Sequence, residues 1–130
     1  MKARFLHILV ALGFVTLAAG LALAQKYARP EYNECIRAYY DPNMYNWLTF
    51  ENTCNLALSV TIIWRNPPYG AGTLDIRPGG HAGTGNSREE VNHHGGYLLY
   101  VCPDGYAPVE SDGRTLVRRP VNDYVCEKIR

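Results

Sequence analysis

Five histidine and glutamate residues in the glycine-rich middle of the chain have spacings that metal ligands use. They are His81, Glu89, Glu90, His93 and His94. The last four lie at spacings of three and four residues, and His81 can come back toward them. Imidazole and carboxylate groups carry lone pairs at neutral pH and are usual ligands of zinc and copper. We therefore predict a candidate metal site, structural or catalytic, made of His81, Glu90, His93 and His94.

The order of these residues differs from the helical zinc motif. The pattern E-E-x-x-H-H is not H-E-x-x-H, and a four-residue spacing aligns two ligands only on a helix, which Gly95 and Gly96 would keep short. The alternative is a solvated polar loop whose histidines face water. Val91 is the single large apolar residue between 81 and 96. This stretch therefore has little to bury, and we predict that it is exposed.

Catalytic residues are not predicted. The serines that follow residue 24 lie outside the G-x-S-x-G motif, and the spacing of the carboxylates does not single out a catalytic pair. The glycine-rich run from 79 to 86 lacks the Lys-Ser/Thr of a phosphate-binding loop. A hydrolase assembled from distant loops, or an enzyme inhibitor that inserts an exposed loop into a cleft, is kept as an alternative function.

Aromatic side chains are the other prominent feature, with ten tyrosines and two tryptophans in the chain. Tyrosine and tryptophan combine a flat apolar surface with a polar edge, which suits protein interfaces and sugar rings. Trp47 lies on the polar face of a predicted strand, and Tyr69 and Tyr106 lie in loops rich in proline and glycine. These three are the candidate binding-surface residues. The alternative is that they fill the core and edges of a small β domain.

An apolar run near the N-terminus predicts export. Lys2 and Arg4 precede it, and Ala22-Leu23-Ala24 ends it. A basic start, an apolar stretch and a small-residue exit are the three parts of a secretory signal peptide. An uncleaved anchor is the alternative, because the run is long enough to span a bilayer, but its small residues favour cleavage. We predict a secreted or periplasmic protein without a membrane span after cleavage.

Three segments follow from the export signal. We predict a signal peptide over 1–24, a flexible leader over 25–34 and a single β domain over 35–130. Of 13 basic residues, Lys2 and Arg4 leave with the signal, so 11 remain against 12 acidic ones. A chain so close to neutral lacks the positive surface that nucleic-acid binding requires.

The four cysteines all follow the signal peptide, and an even number in a small exported domain predicts two disulfides. Three pairings are possible. We favour Cys54–Cys102, which would join two strands, and Cys35–Cys126, which would join the two ends of the domain.

Alternation of apolar and polar residues predicts an all-β fold. Residues 56–64 alternate five large apolar side chains with smaller or more polar ones, which predicts a strand buried on one face. Residues 97–102 are apolar on both faces, so they predict a central strand that pairs with 56–64. Further strands are predicted over 47–51, 73–77, 115–119 and 122–128. Five to seven short strands indicate a small disulfide-stapled antiparallel β-sandwich or small barrel.

One short pattern resembles a known family. Phe50-Glu51-Asn52-x-Cys54, leading into an alternating strand, is similar to the start of thaumatin-like chains. Those proteins have many more cysteines and a longer chain, so the resemblance implies no function here. From the residues themselves, the favoured function is a non-catalytic binding domain whose partner is a protein or an extracytoplasmic glycan, and a metal-binding domain is an alternative.

Overall fold

The computed structural model describes residues 27–28 and 30–129. Within these residues, nine β-strands form three antiparallel sheets of three strands each. The strands are β1 (Tyr27–Ala28), β2 (Ile36–Asp41), β3 (Trp47–Asn52), β4 (Leu58–Trp64), β5 (Gly70–Ile76), β6 (His81–Gly83), β7 (Tyr97–Pro103), β8 (Tyr106–Val109) and β9 (Val125–Lys128). The helices are α1 (Arg88–His93) and two 3₁₀ helices, Pro30–Cys35 and Pro42–Met44. The predicted all-β class is confirmed, with more strands than the predicted five to seven.

Part of the predicted leader belongs to the folded domain. β1 pairs with β9, and Tyr32 in the first 3₁₀ helix packs against the core. The predicted signal peptide, residues 1–24, lies outside the described residues. Among the residues that are described, no helix has the length and apolar character needed to cross a membrane.

The central sheet has the order β5-β4-β7, and the predicted pairing of the two strongest strands is confirmed. β4 and β7 run antiparallel, from Leu58 opposite Pro103 to Trp64 opposite Tyr97. The first core lies between this sheet and the β2-β3-β6 sheet. Its buried members are Cys35, Leu48, Phe50, Leu58, Val60, Ile62, Trp64, Ile76, Val91 and Val101.

The prediction that β4 is buried on one face only is wrong. Ser59 and Thr61 are 8% exposed and Ile63 is 3% exposed, because the β1-β9-β8 sheet and the C-terminal segments cover the other face. A second core forms there, with Ile63, Tyr100, Cys102, Val117, Tyr124 and Cys126 as its buried members. β4 is therefore covered on both faces, as was predicted only for β7.

The predicted disulfide pairing is wrong, although all four cysteines are oxidised. The bonds are Cys35–Cys54 and Cys102–Cys126. Cys54 packs against the first core, whereas Cys102 lies opposite Ser59 in the central sheet and belongs to the second core. Directly opposite residues of antiparallel strands share a face. The sheet itself therefore separates Cys54 from Cys102.

Residues 81–96 are more structured than predicted. β6 pairs with β3, α1 follows, and Val91 is 3% exposed in the first core. One buried valine on a capped helical turn is enough to attach the stretch to the domain.

Smaller differences concern the ends of the domain. The segment before residue 42, for which no strand is predicted, forms the strand β2. The predicted edge strand at 115–119 reduces to a single bridge between Val109 and Leu116.

Asn52 uses every polar group it has to join three segments, and it is fully buried. Its side-chain amide donates to the carbonyls of Leu56 (2.7 Å) and Ile76 (3.1 Å), and its Oδ1 accepts from the Cys54 N–H (3.0 Å). Its backbone N–H donates to the Gly80 carbonyl and its own carbonyl accepts from Gly79. The end of β3, the start of β4 and the β5–β6 turn are thereby fixed to one another.

We expect Asn52→Leu to lower the free energy of unfolding by about 4 kcal/mol, because it leaves the buried Ile76 carbonyl and the partly buried Leu56 carbonyl and Cys54 N–H without partners at about 1–3 kcal/mol each. Urea denaturation measures the loss. Asn55→Leu, an exposed position in the same connection, is the matched control and should change stability little. A loss below 1 kcal/mol for Asn52→Leu would contradict this role.

The two disulfides should differ in their contribution to stability. They close loops with sequence separations of 19 and 24 residues, which the chain-entropy model values at about 3 kcal/mol each. Cys102 and Cys126 are also fully buried, so replacing both with alanine leaves a space in the second core. We expect that double variant to lose more stability in urea than the double alanine variant of Cys35 and Cys54. Equal losses, or a Cys54–Cys102 peptide in a non-reducing map, would contradict the assignment.

Candidate functional site

A pocket of about 500 Å³ lies where the connection between β2 and β3 meets the start of α1. We call it the aromatic pocket. It is lined by Tyr40, Tyr45, Asn46, Ser87, Arg88 and Glu89. Two aromatic rings and several polar or charged groups therefore face the same space, which is the composition of a site for a ligand with both apolar and hydrogen-bonding surfaces.

The connection from β2 to β3 holds Tyr45 in a fixed, exposed position. Asp41 anchors the turn, since its carboxylate accepts from the Asn43 N–H (2.9 Å) and its carbonyl accepts from the Asn46 N–H (2.8 Å). Tyr45 and Asn46 have φ angles of 54° and 57°, a left-handed conformation that costs a non-glycine residue about 1 kcal/mol or more. Tyr45 is nevertheless 79% exposed. The turn thus presents a tyrosine ring to solvent on a constrained backbone.

Trp47 supports the exposed tyrosine. The two rings are tilted by 43°, with centroids 5.0 Å apart. Trp47 is half-buried on the outer face of β3, where its ring lies beside Gly83 of β6 and close to Met44. A side chain larger than glycine at position 83 would stand against the indole. Trp47, one of the predicted binding-surface residues, is therefore part of the surface that adjoins the aromatic pocket.

The start of α1 supplies the polar wall of the pocket. Ser87 caps the helix through a capping box, in which its hydroxyl accepts from the Glu90 N–H (3.3 Å) and the Glu90 carboxylate accepts from the Ser87 N–H (3.4 Å). This cap sets the direction of the first helical residue, Arg88. The Arg88 guanidinium lies 4.2 Å from the centre of the Tyr40 ring, a cation–π distance. Arg88 thus joins α1 to β2 across the pocket.

Glu90 is committed to this cap. Hydrogen bonds from the Asn86 side chain (3.1 Å) and from Ser87 hold the pKa of Glu90 below its ordinary value of 4.5. Each of these bonds favours the charged carboxylate. Glu90 therefore serves as a structural acceptor in the helix cap.

Of the other predicted metal ligands, His93 and His94 make aromatic ring contacts, and His81 lies on β6. His94 stacks on Trp64 with centroids 4.5 Å apart and an interplanar angle of 10°, and His93 meets His94 edge-on at 5.6 Å. His81 lies on β6 opposite Glu51. Within the described part of the chain, no group of three His, Cys, Asp or Glu side chains could hold a metal ion. The structure therefore does not gather the four predicted ligands into one centre.

The remaining predicted binding residues lie on the other side of the central sheet. Tyr69 and Tyr106 are partly buried and pack against the second core. Tyr106 also lines a separate groove beside β8. The structure thus separates them from Trp47, and the three do not form one surface.

The sequence analysis does not predict that Tyr40, Tyr45 and Arg88 line one pocket. Two signals were available: the turn sequence Asp41-Pro42-Asn43, which brings β2 back as β3, and Ser87-x-x-Glu90, which is a capping-box pattern. Neither signal indicates that the turn and the helix meet.

No protein-family model, curated protein or solved structure matches this chain. The arrangement of its own side chains is therefore the basis of the function proposed below.

We expect Asn86→Ala to raise the pKa of Glu90 toward its ordinary value, because the strongest of the bonds that favour the carboxylate is lost. An NMR pH titration of the Glu90 side chain measures it. Since the folded-state pKa is depressed, the stabilisation of α1 is present above the ordinary pKa of 4.5 and is lost as the pH falls through the folded-state pKa.

The protection factors of the α1 amides should therefore fall in acid for the wild-type chain. Glu90→Gln keeps an acceptor at the cap without a titratable group, so it should remove this pH dependence. An ordinary Glu90 pKa in the wild-type protein would contradict the cap.

Proposed function

We propose that this protein is a secreted or periplasmic, non-catalytic binding domain that holds an extracytoplasmic glycan in its aromatic pocket. The observation that carries the proposal is Tyr45, whose ring is 79% exposed, lies on a left-handed turn and contacts the ring of Trp47. A sugar ring has an apolar face that packs on an aromatic ring and hydroxyls that need hydrogen-bonding partners. Both kinds of surface are available here.

The polar groups around Tyr45 suit the hydroxyls of a sugar. Asn46 is a neutral group that both donates and accepts, and Arg88 and Glu89 are exposed charged groups. The Arg88 guanidinium is held over Tyr40, so less side-chain freedom is lost on binding. The pocket therefore offers a pre-arranged set of contacts.

The proposed location rests on covalent and sequence features. Two disulfides are typical of small domains in oxidising compartments outside the cytoplasm. The basic and apolar residues at the N-terminus have the pattern of an export signal. Glycans of the envelope or the extracellular medium are the ligands that such a domain meets.

A protein partner is the second candidate, and the composition of the surface favours it. Met44 is 37% exposed and lies next to Tyr45 and Trp47. Methionine, tyrosine, tryptophan and arginine are the residue types enriched at protein interfaces. The same surface would then serve as the centre of an interface.

The test compares two tyrosine variants against a panel of soluble envelope and extracellular oligosaccharides. Tyr45→Asn removes the ring and keeps a residue that tolerates the left-handed turn, so we expect at least a tenfold loss of affinity by calorimetry. Tyr39→Ala is the matched control: Tyr39 lies on β2 beside Arg37 and outside the pocket, and binding should be unchanged.

Equal losses in the two variants, with unchanged melting temperatures, would contradict the assignment of the pocket. If no oligosaccharide binds, the glycan proposal fails. The protein alternative then predicts that a partner from the envelope fraction is retained by wild type and Tyr39→Ala and is lost with Tyr45→Asn.

A further inference from the structure

A second concave site, which we call the apolar groove, lies on the opposite face of the central sheet. Its volume is about 460 Å³, within the range of sites that hold small molecules. β4 and β5 form its floor, and β8, the segment 116–118 and Ile129 form the facing wall. It shares no lining residue with the aromatic pocket. The groove is therefore independent of the function proposed above.

The groove exists because the third sheet is too narrow to cover the central one. The second core fastens that sheet over β7 through Tyr100, Tyr124 and the Cys102–Cys126 bond, which leaves part of β4 and β5 facing open space. Gly70 lies opposite Ile63 of the second core, and a Cβ added at Gly70 would meet no atom within 4 Å.

The facing wall is held in place by backbone hydrogen bonds. Leu116 bridges to Val109 of β8, and the Val117 N–H donates to the Pro108 carbonyl (3.0 Å). Leu116 is nevertheless 43% exposed and Ile129 is 62% exposed. Two large aliphatic side chains thus stand at the groove with much of their surface in water, which an apolar ligand would cover.

The floor offers few polar groups that could hydrogen-bond to a ligand. Ser59 and Thr61 are almost completely buried, and the hydroxyl of Thr61 lies 3.3 Å from that of Thr73 across the β4–β5 pair. The two threonine hydroxyls therefore satisfy each other. A hydrocarbon chain fits such a floor better than a sugar or a peptide backbone does.

The lining of the groove carries one positive charge. Arg118 is exposed, and among the described residues that line the groove it is the single charged one. The next residue, Arg119, is already paired with Glu110 at 2.8 Å. A guanidinium binds a carboxylate through two parallel hydrogen bonds. The charge of the lining therefore matches an anion at one end of an apolar ligand.

We propose that the apolar groove binds a single-chain amphiphile with a terminal carboxylate, of the medium-chain fatty-acid class. The hydrocarbon chain lies on β4 and β5 under Leu116 and Ile129, and the carboxylate meets Arg118.

The test uses calorimetry on the full domain with saturated carboxylates of increasing chain length, and with the primary alcohols of the same lengths, below their micelle concentrations. Each added methylene should tighten binding about three- to fourfold until the groove is full. Arg118→Gln should weaken the carboxylates about tenfold or more and leave the alcohols unchanged. Arg114→Gln, an exposed arginine outside the lining, is the matched control.

Gly70→Val provides the steric test, because a β-branched residue suits a strand and its side chain would occupy the open space. It should abolish the binding of both ligand series while the melting temperature and oligosaccharide binding stay at wild-type values. The proposal is overturned if no carboxylate binds, if chain length has no effect, or if Arg118→Gln and Arg114→Gln behave alike. A concentration-dependent dimer that Leu116→Ser dissociates would also overturn it, since a second copy would then cover the groove.

Discussion

The buried side chain of Asn52 is the constraint on which the rest of the domain depends. It replaces regular sheet hydrogen bonding at the point where the chain leaves β3 and enters β4, and it holds the β5–β6 turn to the same point. Both sheets that enclose the first core therefore meet at one amide. Because each polar atom of this amide has a partner, hydrogen bonds offset the cost of burying it.

Coverage of β4 on both faces gives the protein two surfaces with different chemistry. On one side the first core anchors α1 through Val91, and α1 carries Arg88 to the tyrosines of the β2–β3 turn. On the other side a narrower layer covers only part of the sheet and leaves aliphatic side chains accessible. The thin central sheet thus separates a polar aromatic site from an apolar one.

The central strand pair could be predicted from the sequence. The disulfide pairing and the aromatic pocket could not, because they depend on how the strands and turns are placed against one another. Alternation in β4 and the apolar run in β7 mark two strands whatever their neighbours are. The disulfides depend on which face Cys54 and Cys102 take, and the irregular residues 53–57 hide that relation. The aromatic pocket depends on the left-handed backbone of Tyr45 and on the meeting of a turn and a helix some 40 residues apart in sequence. Neither the left-handed conformation of Tyr45 nor the contact between turn and helix is indicated by a short sequence pattern.

The pairing of β1 with β9 places the first described strand beside the last. Tyr27 pairs with Glu127 and Ala28 with Cys126, so this sheet joins segments that lie far apart in the sequence, and long-range pairing of this kind forms slowly. The Cys102–Cys126 bond joins β9 of this sheet to β7 of the central sheet. One wall of the apolar groove therefore belongs to a sheet whose strands come from both ends of the described residues.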